Sequence, residues 1–154
     1  MAETYELDPT SDFYALESVL ADRDRAFLAE VRSFMRSEVA PIINDYWTRE
    51  EFPHQVFPRV AEIGMGGMAL EGYGCAGRGV LVDGFVAMEL ASVDCSVATG
   101  LGVHNHLAMG SIHHCGSEEQ KEDWLPRMAR FEAIGAFGLT EPEVGSGVAR
   151  GMLT

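Results

Sequence analysis

Positive charge is scarce in this sequence. Of its 154 residues only 11 are Lys or Arg, against 24 Asp or Glu, so the formal net charge is -13. Nucleic acids and anionic membrane surfaces are bound through basic surfaces, and both are excluded as partners on this ground. Cysteine is scarce too. The three present, Cys75, Cys95 and Cys115, form no C-x-x-C pair, and an odd count is no disulfide framework. They are expected as free thiols in a reducing compartment. An apolar leader is lacking, because the N-terminal run Met1 to Glu6 is acidic and resembles neither a secretory signal nor a transit peptide. No apolar run is long enough to span a bilayer. The longest weakly polar stretch, Val97 to Ile112, is interrupted by His104, Asn105 and His106. Together these absences predict a soluble, cytoplasmic protein. What is present fits a globular domain with its own core: 47% of residues are hydrophobic and 23% charged.

Hydrophobic spacing places helices along most of the chain. From Asp22 to about Asn44 the apolar residues Phe27, Leu28, Val31, Phe34, Met35, Val39 and Ile42 recur at steps of three and four, which predicts an amphipathic helix that ends or kinks before Pro41. A short helix is predicted over about 55–63, with Gly64 as its stop. Residues 64–79 hold seven of the 17 glycines and read as a long loop. Val82, Phe85, Val86, Leu90 and Val93 predict a helix over 81–93. Asp94 or Ser96 can cap the next one, at about 97–114. Ser117 and Gln120 form a capping box that opens a helix carrying Trp124, with Pro126 as a break or a new first turn. Ala133 to Leu139 reads as one strand entering a loop rich in Gly, Pro and Ser. A lone strand forms no sheet, and the final residues Gly151-Met152-Leu153-Thr154 give no sign of a natural end, so a second, β-rich domain is expected to follow.

Several constellations invite a chemical reading. Gly72-Tyr73-Gly74-Cys75-Ala76-Gly77 matches G-x-G-x-x-G, the fingerprint of a dinucleotide site. Its context is wrong, because no clear strand precedes it and helix follows helix downstream. His104, His106, His113, His114 and Cys115 lie close together, yet no two are four apart as helical ligands to one ion usually are, so no metal site is expected. Glu89 sits within the apolar stripe of its helix and must be paired or have a raised pKa. Arg23, Arg25 and Arg32 are its candidate partners. Ser146 lies in Val144-Gly145-Ser146-Gly147, which is not the nucleophile elbow G-x-S-x-G. Its flanking glycines instead offer backbone amides suited to a phosphate or pyrophosphate.

One run is more specific. Phe137-Gly138-Leu139-Thr140-Glu141-Pro142-Glu143-Val144-Gly145-Ser146 resembles the first flavin-binding signature of the acyl-CoA dehydrogenases. Upstream pieces agree in order and spacing. Glu51-Phe52-Pro53 resembles the family's "EFP", and Glu71-Gly72-Tyr73-Gly74-Cys75-Ala76-Gly77 its "EYGGAG" loop. Glu89-Leu90-Ala91 resembles its "EELA" helix. Gly116 to Lys121 and Trp124 to Met128 resemble its "GTEEQK…WLPRL" segment. The resemblance covers roughly residues 20–154. Gly147 stands where the family usually has Asp, and Val144 where it has a small or polar residue.

The resemblance implies an all-α helical-bundle domain of the family's N-terminal type, ending in a short β-strand and loop from an incomplete middle domain. The implied division is an arm over 1–20, the helical domain over 21–132 and the start of the middle domain over 133–154. The implied chemistry is oxidation of an acyl-CoA thioester to the 2,3-enoyl-CoA, with a glutamate removing the α-proton, FAD taking the β-hydride and an electron-transfer flavoprotein receiving the electrons. By position, Phe137, Gly138 and Leu139 would run beside the flavin ring and Thr140 would bond its pyrimidine side. Gly145 and Ser146 would meet the pyrophosphate, with Ser146 also near the substrate's thioester arm. Ala98, Gly100 and Gly102 would leave room for an acyl chain. The catalytic glutamate is expected in a later domain, so no catalytic residue is expected in this chain, and the full-length protein is expected to be a homo-oligomer. Two other readings remain open at this level: a non-catalytic helical remnant that binds a partner or ligand, and the same half of a related flavin oxidase or monooxygenase.

Overall fold

The computed structural model describes residues 14–147. The rest of the expected arm, 1–13, and the last seven residues, 148–154, lie outside the described residues. The chain forms a helical bundle. α1, Asp22–Phe34, buries Phe27, Leu28, Val31 and Phe34, the stripe that the spacing predicts. It runs into a π-helical turn, Met35–Val39, and on into α2, Ala40–Thr48. The predicted break at Pro41 is therefore replaced by a wide turn ahead of it. Proline has no N–H and its ring crowds the carbonyl four residues back. Ala40 N–H bonds to the Met35 carbonyl, five residues back, and this looser winding lets the helix continue.

A 3-10 turn, His54–Val56, leads into α3, Phe57–Ile63, and Gly64 ends it at a φ of 80°. The glycine-rich loop follows. α4, Val80–Val93, packs on α1 and on α5, Cys95–Gly102. Of the two candidate caps, Asp94 is the one used, its carboxylate accepting from Val97 N–H at 2.7 Å. α5 continues through a second π-helical turn, Val103–Met109, into α6, Gly110–Cys115. α7, Glu118–Ala129, opens on the predicted capping box: Gln120 N–H donates to Ser117 Oγ at 3.3 Å and Ser117 N–H to Gln120 Oε1 at 2.9 Å. Pro126 does not break α7. The carbonyl it leaves free belongs to Glu122, an exposed residue that water can serve.

Two apolar clusters hold these elements. The larger gathers Val31, Met35, Val39, Val60, Val86 and Val97, all at 0% exposure. The smaller joins Leu70 of the glycine loop to Ala108 and Met109 of the second π-turn and to Leu125, Met128 and Ala129 of α7. Each valine, leucine or methionine among them contributes about 1.5–3 kcal/mol as an upper bound. The end of the expected arm also joins the bundle: Leu16–Val19 is a 3-10 turn, Leu20 is buried, and Glu17 pairs with Arg32.

The strand predicted over Ala133–Leu139 is not formed. Residues 134–140 carry no regular structure, and the sole strand-like pairing among the described residues is an isolated antiparallel bridge between Glu141 and Val144. A strand is defined by its ladder, and no described residue pairs its backbone with this segment.

Candidate functional site

The segment that leaves α7 holds the residues that the sequence resemblance assigns to the cofactor, Phe137 to Thr140 with Gly145 and Ser146. Phe137 and Leu139 are 40% and 41% exposed, and Gly138 and Thr140 are exposed as well. Among the described residues, the backbone from 136 to 140 makes no hydrogen bond. The chain then reverses. Glu141 N–H donates to the Val144 carbonyl at 3.1 Å and Val144 N–H to the Glu141 carbonyl at 3.2 Å. Pro142, whose φ is fixed by its ring, occupies the first central position of this turn. Thr140 and Gly145 are the residues that flank this bridged turn on either side. Both Gly145 and Ser146 are exposed, and a Cβ built on Gly138, Gly145 or Gly147 would meet nothing within 4 Å. Free amides, two hydroxyls and open backbone suit the carbonyl and phosphate oxygens of a dinucleotide cofactor.

Beside this segment lies an apolar cleft of about 330 Å³, lined among others by Ala108, Ile112, Trp124, Met128, Ile134 and Phe137. Its lining residues Met128 and Gly135 are held by the way α7 ends. Phe131 adopts the left-handed conformation, φ 56°, that usually falls to glycine. Phe131 N–H bonds the Met128 carbonyl and Glu132 N–H the Arg127 carbonyl, both at 2.9 Å, which is a Schellman termination. A side chain in this conformation costs about 1–2 kcal/mol. The ring offsets that cost by stacking on Phe57 at 5.4 Å and on His104 at 4.5 Å between centroids. His104, fully buried, lies 3.0 Å through Nε2 from the Met128 carbonyl, and its Nδ1 accepts Gly135 N–H at 3.0 Å. Burial holds its pKa below the ordinary histidine value, and the Met128 carbonyl opposes that only in part. Gly135 itself is tightly seated, since a Cβ there would come within 2.3 Å of Ala108 Cβ.

The other sequence candidates resolve into structural partners. Glu89 pairs with Arg32 at 2.6 Å, one of the three arginines named for it. The Glu89 carboxylate, and after it Glu17, raises the Arg32 pKa against the opposing effect of burial. His106 Nε2 lies 2.5 Å from Asp83 Oδ2, and His113 Nε2 lies 3.0 Å from the Glu71 carbonyl. Among the described residues no three His, Cys, Asp or Glu side chains converge to hold a metal ion. The G-x-G-x-x-G run turns its amides inward: Cys75 N–H bonds the Gly72 carbonyl at 2.9 Å and Ala76 N–H the Gly66 carbonyl at 3.3 Å. It is a connector between helices.

The small residues of α5 are seated against different neighbours. The space above Gly100 is taken by the Phe52 ring, 3.2 Å from where a Cβ would lie, and Ala98 and Gly102 line a void of only about 20 Å³. That void has room for about one water. Sequence reasoning missed Asn105. It is 2% exposed, donates to the Met65 carbonyl and accepts Gly67 N–H, both at 2.8 Å, and so fixes the start of the glycine loop. The available signal was an amide side chain in an otherwise apolar helix, which burial obliges to find partners on both sides.

Comparison with known proteins gives these features a setting. A family model described as acyl-CoA dehydrogenase, N-terminal domain, matches residues 21–132. An acyl-CoA dehydrogenase of Bacillus subtilis is 35% identical over 117 residues, which cover 75% of this chain and 31% of that protein. A short-chain-specific acyl-CoA dehydrogenase of Clostridium acetobutylicum is 37% identical over 117 residues, again 75% of this chain and 31% of that protein. Among solved structures, a glutaryl-CoA dehydrogenase from Mycobacterium smegmatis in complex with FADH2 superposes with a TM-score of 0.83 at 37% identity, over 90% of this chain and 36% of that one. The chain thus spans about a third of the length of the curated relatives it matches.

Proposed function

Because the chain belongs to the acyl-CoA dehydrogenase family, we propose that it forms the N-terminal part of a cytoplasmic flavoenzyme that oxidises an acyl-CoA thioester to its 2,3-enoyl-CoA. In this reading residues 21–132 are the helical domain and 133–154 open the middle β-domain. The observation that carries it is the largely exposed run from Phe137 to Ser146, whose backbone from 136 to 140 is without hydrogen-bond partners among the described residues and whose Glu141–Val144 turn is flanked by Thr140 and Gly145. FAD, when bound, supplies the acceptor for the substrate's β-hydride. The residues of this chain bind and orient it. The backbone of Phe137, Gly138 and Leu139 would run beside the ring and the Thr140 hydroxyl would bond its pyrimidine side. The Gly145 amide and the Ser146 amide and hydroxyl would hold the pyrophosphate. Ser146 would also lie near the thioester arm of the acyl-CoA.

None of these residues is a base for the α-proton, and in this reading that base comes from outside the 154 residues. The electrons pass to an electron-transfer flavoprotein, and the full-length enzyme is a homo-oligomer. Two measurements test the reading. Titration of the chain with FAD is expected to give saturable binding with a shifted visible spectrum, and Thr140→Ala or Ser146→Ala is expected to weaken it by roughly three- to tenfold each, one neutral hydrogen bond's worth. An FAD spectrum that stays unshifted, with no saturation at high chain concentration, overturns the cofactor assignment. Acyl-CoA-dependent dye reduction by the isolated chain is expected to be absent, and its detection would place the base among these residues.

A further inference from the structure

His104 stands between two backbone groups whose roles are not interchangeable. The Met128 carbonyl can only accept and the Gly135 amide can only donate, and both lie 3.0 Å from the ring. The imidazole is therefore neutral, with its proton on Nε2 and its lone pair on Nδ1 aimed at Gly135. Phe131 lies stacked on the ring, and Gly135 has no room to shift toward Ala108. Three restraints thus converge within a few residues of the point where the exposed segment leaves the bundle. Past Gly135 the backbone from 136 to 140 makes no further hydrogen bond among the described residues.

We infer that His104, in its neutral Nε2–H form, is the positioning residue that fixes where the segment from Ala136 to Thr140 departs from the helical domain, and that protonation of Nδ1 releases it. That this departure point aligns a flavin rests on the function proposed above. The release itself does not. A proton on Nδ1 faces the Gly135 N–H with a second donor, so the bond is lost while the Nε2 bond to Met128 survives. Among the described residues no charged side chain hydrogen-bonds the ring, whose partners are the Met128 carbonyl and the Gly135 amide. The charged residues that flank its contacts, Arg127, Arg130 and Glu132, are exposed, and on its own π-turn His106 is engaged with Asp83 of α4. Burial without a neighbouring carboxylate agrees with a ring held neutral.

The test is amide hydrogen exchange of the 154-residue chain followed by NMR, with FAD titration of the same samples. Expected is an Nε2–H tautomer in long-range proton–nitrogen spectra. Gly135 protection should fall at least tenfold as the pH drops below the ordinary histidine range, while Leu125 in α7 stays protected. His104→Asn keeps an acceptor near the Nδ1 position and should retain Gly135 protection without the pH step. His104→Gln offers its polar atoms near Nε2 and should lose protection at every pH. An Nδ1–H tautomer, pH-independent protection of Gly135 in the unaltered chain, or protection kept by His104→Gln but lost by His104→Asn overturns the inference. In the FAD arm, weaker binding by His104→Gln than by His104→Asn extends the inference to the cofactor. Failure of every sample to bind FAD, with the exchange pattern as expected, supports the positioning role and sinks the cofactor reading alone.

Discussion

Two long helices of this bundle each contain a π-helical turn, and the two turns serve opposite ends. Met35–Val39 precedes Pro41, and its wide winding answers a backbone problem, an absent N–H. It buries only apolar residues, Met35 and Val39, and leaves Arg36, Ser37 and Glu38 exposed. Val103–Met109 contains no proline. It buries His104 and Asn105 side by side, and with His106 these consecutive residues reach three different parts of the molecule: the end of α7, the start of the glycine loop, and α4. An α-helical turn directs each residue about 100° from the last, and the slacker π-turn changes which neighbours successive side chains meet. The first turn accommodates a defect. The second organises the site.

That contrast can be broken at its strongest point first. Asn105→Leu keeps the volume but leaves the Met65 carbonyl and the Gly67 amide buried without partners. A loss of about 3 kcal/mol or more is expected, read as a lower urea midpoint at unchanged slope. Equal stability would mean that the second turn organises nothing. The next effect is a pH dependence. The folded chain holds the pKa of His104 below its unfolded value of 6.5. The unfolded state therefore binds more protons in the window between the two values. The contribution of His104 is complete above pH 6.5 and declines as the pH falls toward the depressed value, by up to about 1.4 kcal/mol per unit. Urea midpoints from pH 7.5 down to pH 5 should show the decline, and His104→Asn should flatten it. The smallest effect belongs to the first turn. Pro41→Ala restores an N–H at an exposed position and should stabilise the chain by less than about 1 kcal/mol, seen as a small rise in Tm. A large loss would give the first turn an organising role as well.

The sequence made local features legible and long-range ones not. The Ser117 capping box, the Asp94 cap, the Gly64 stop and the amphipathic stripe of α1 depend on residues a few positions apart, and each is where the spacing put it. Glu89 was legible because a carboxylate in an apolar stripe demands a cation, though only the fold selects Arg32. The prolines misled because a lost N–H is decisive only where the helix cannot rewind, as it does before Pro41, or expose the freed carbonyl, as at Glu122. The strand at 133–139 misled because β-pairing is a property of two segments. For the site, the turn at Pro142 could be read directly. Its anchorage could not, since His104 and Asn105 find partners 24 to 40 positions away.

The seating of the glycine loop also has a chemical side. Cys75 rests against Gly67, the residue whose amide Asn105 holds, and burial raises the pKa of its thiol, so little nucleophilic thiolate is present at neutral pH. Cys95 and Cys115 are exposed. Alkylating reagents should therefore modify two thiols at once and the third slowly. The lag of Cys75 is a clock for how often the loop lifts from the bundle.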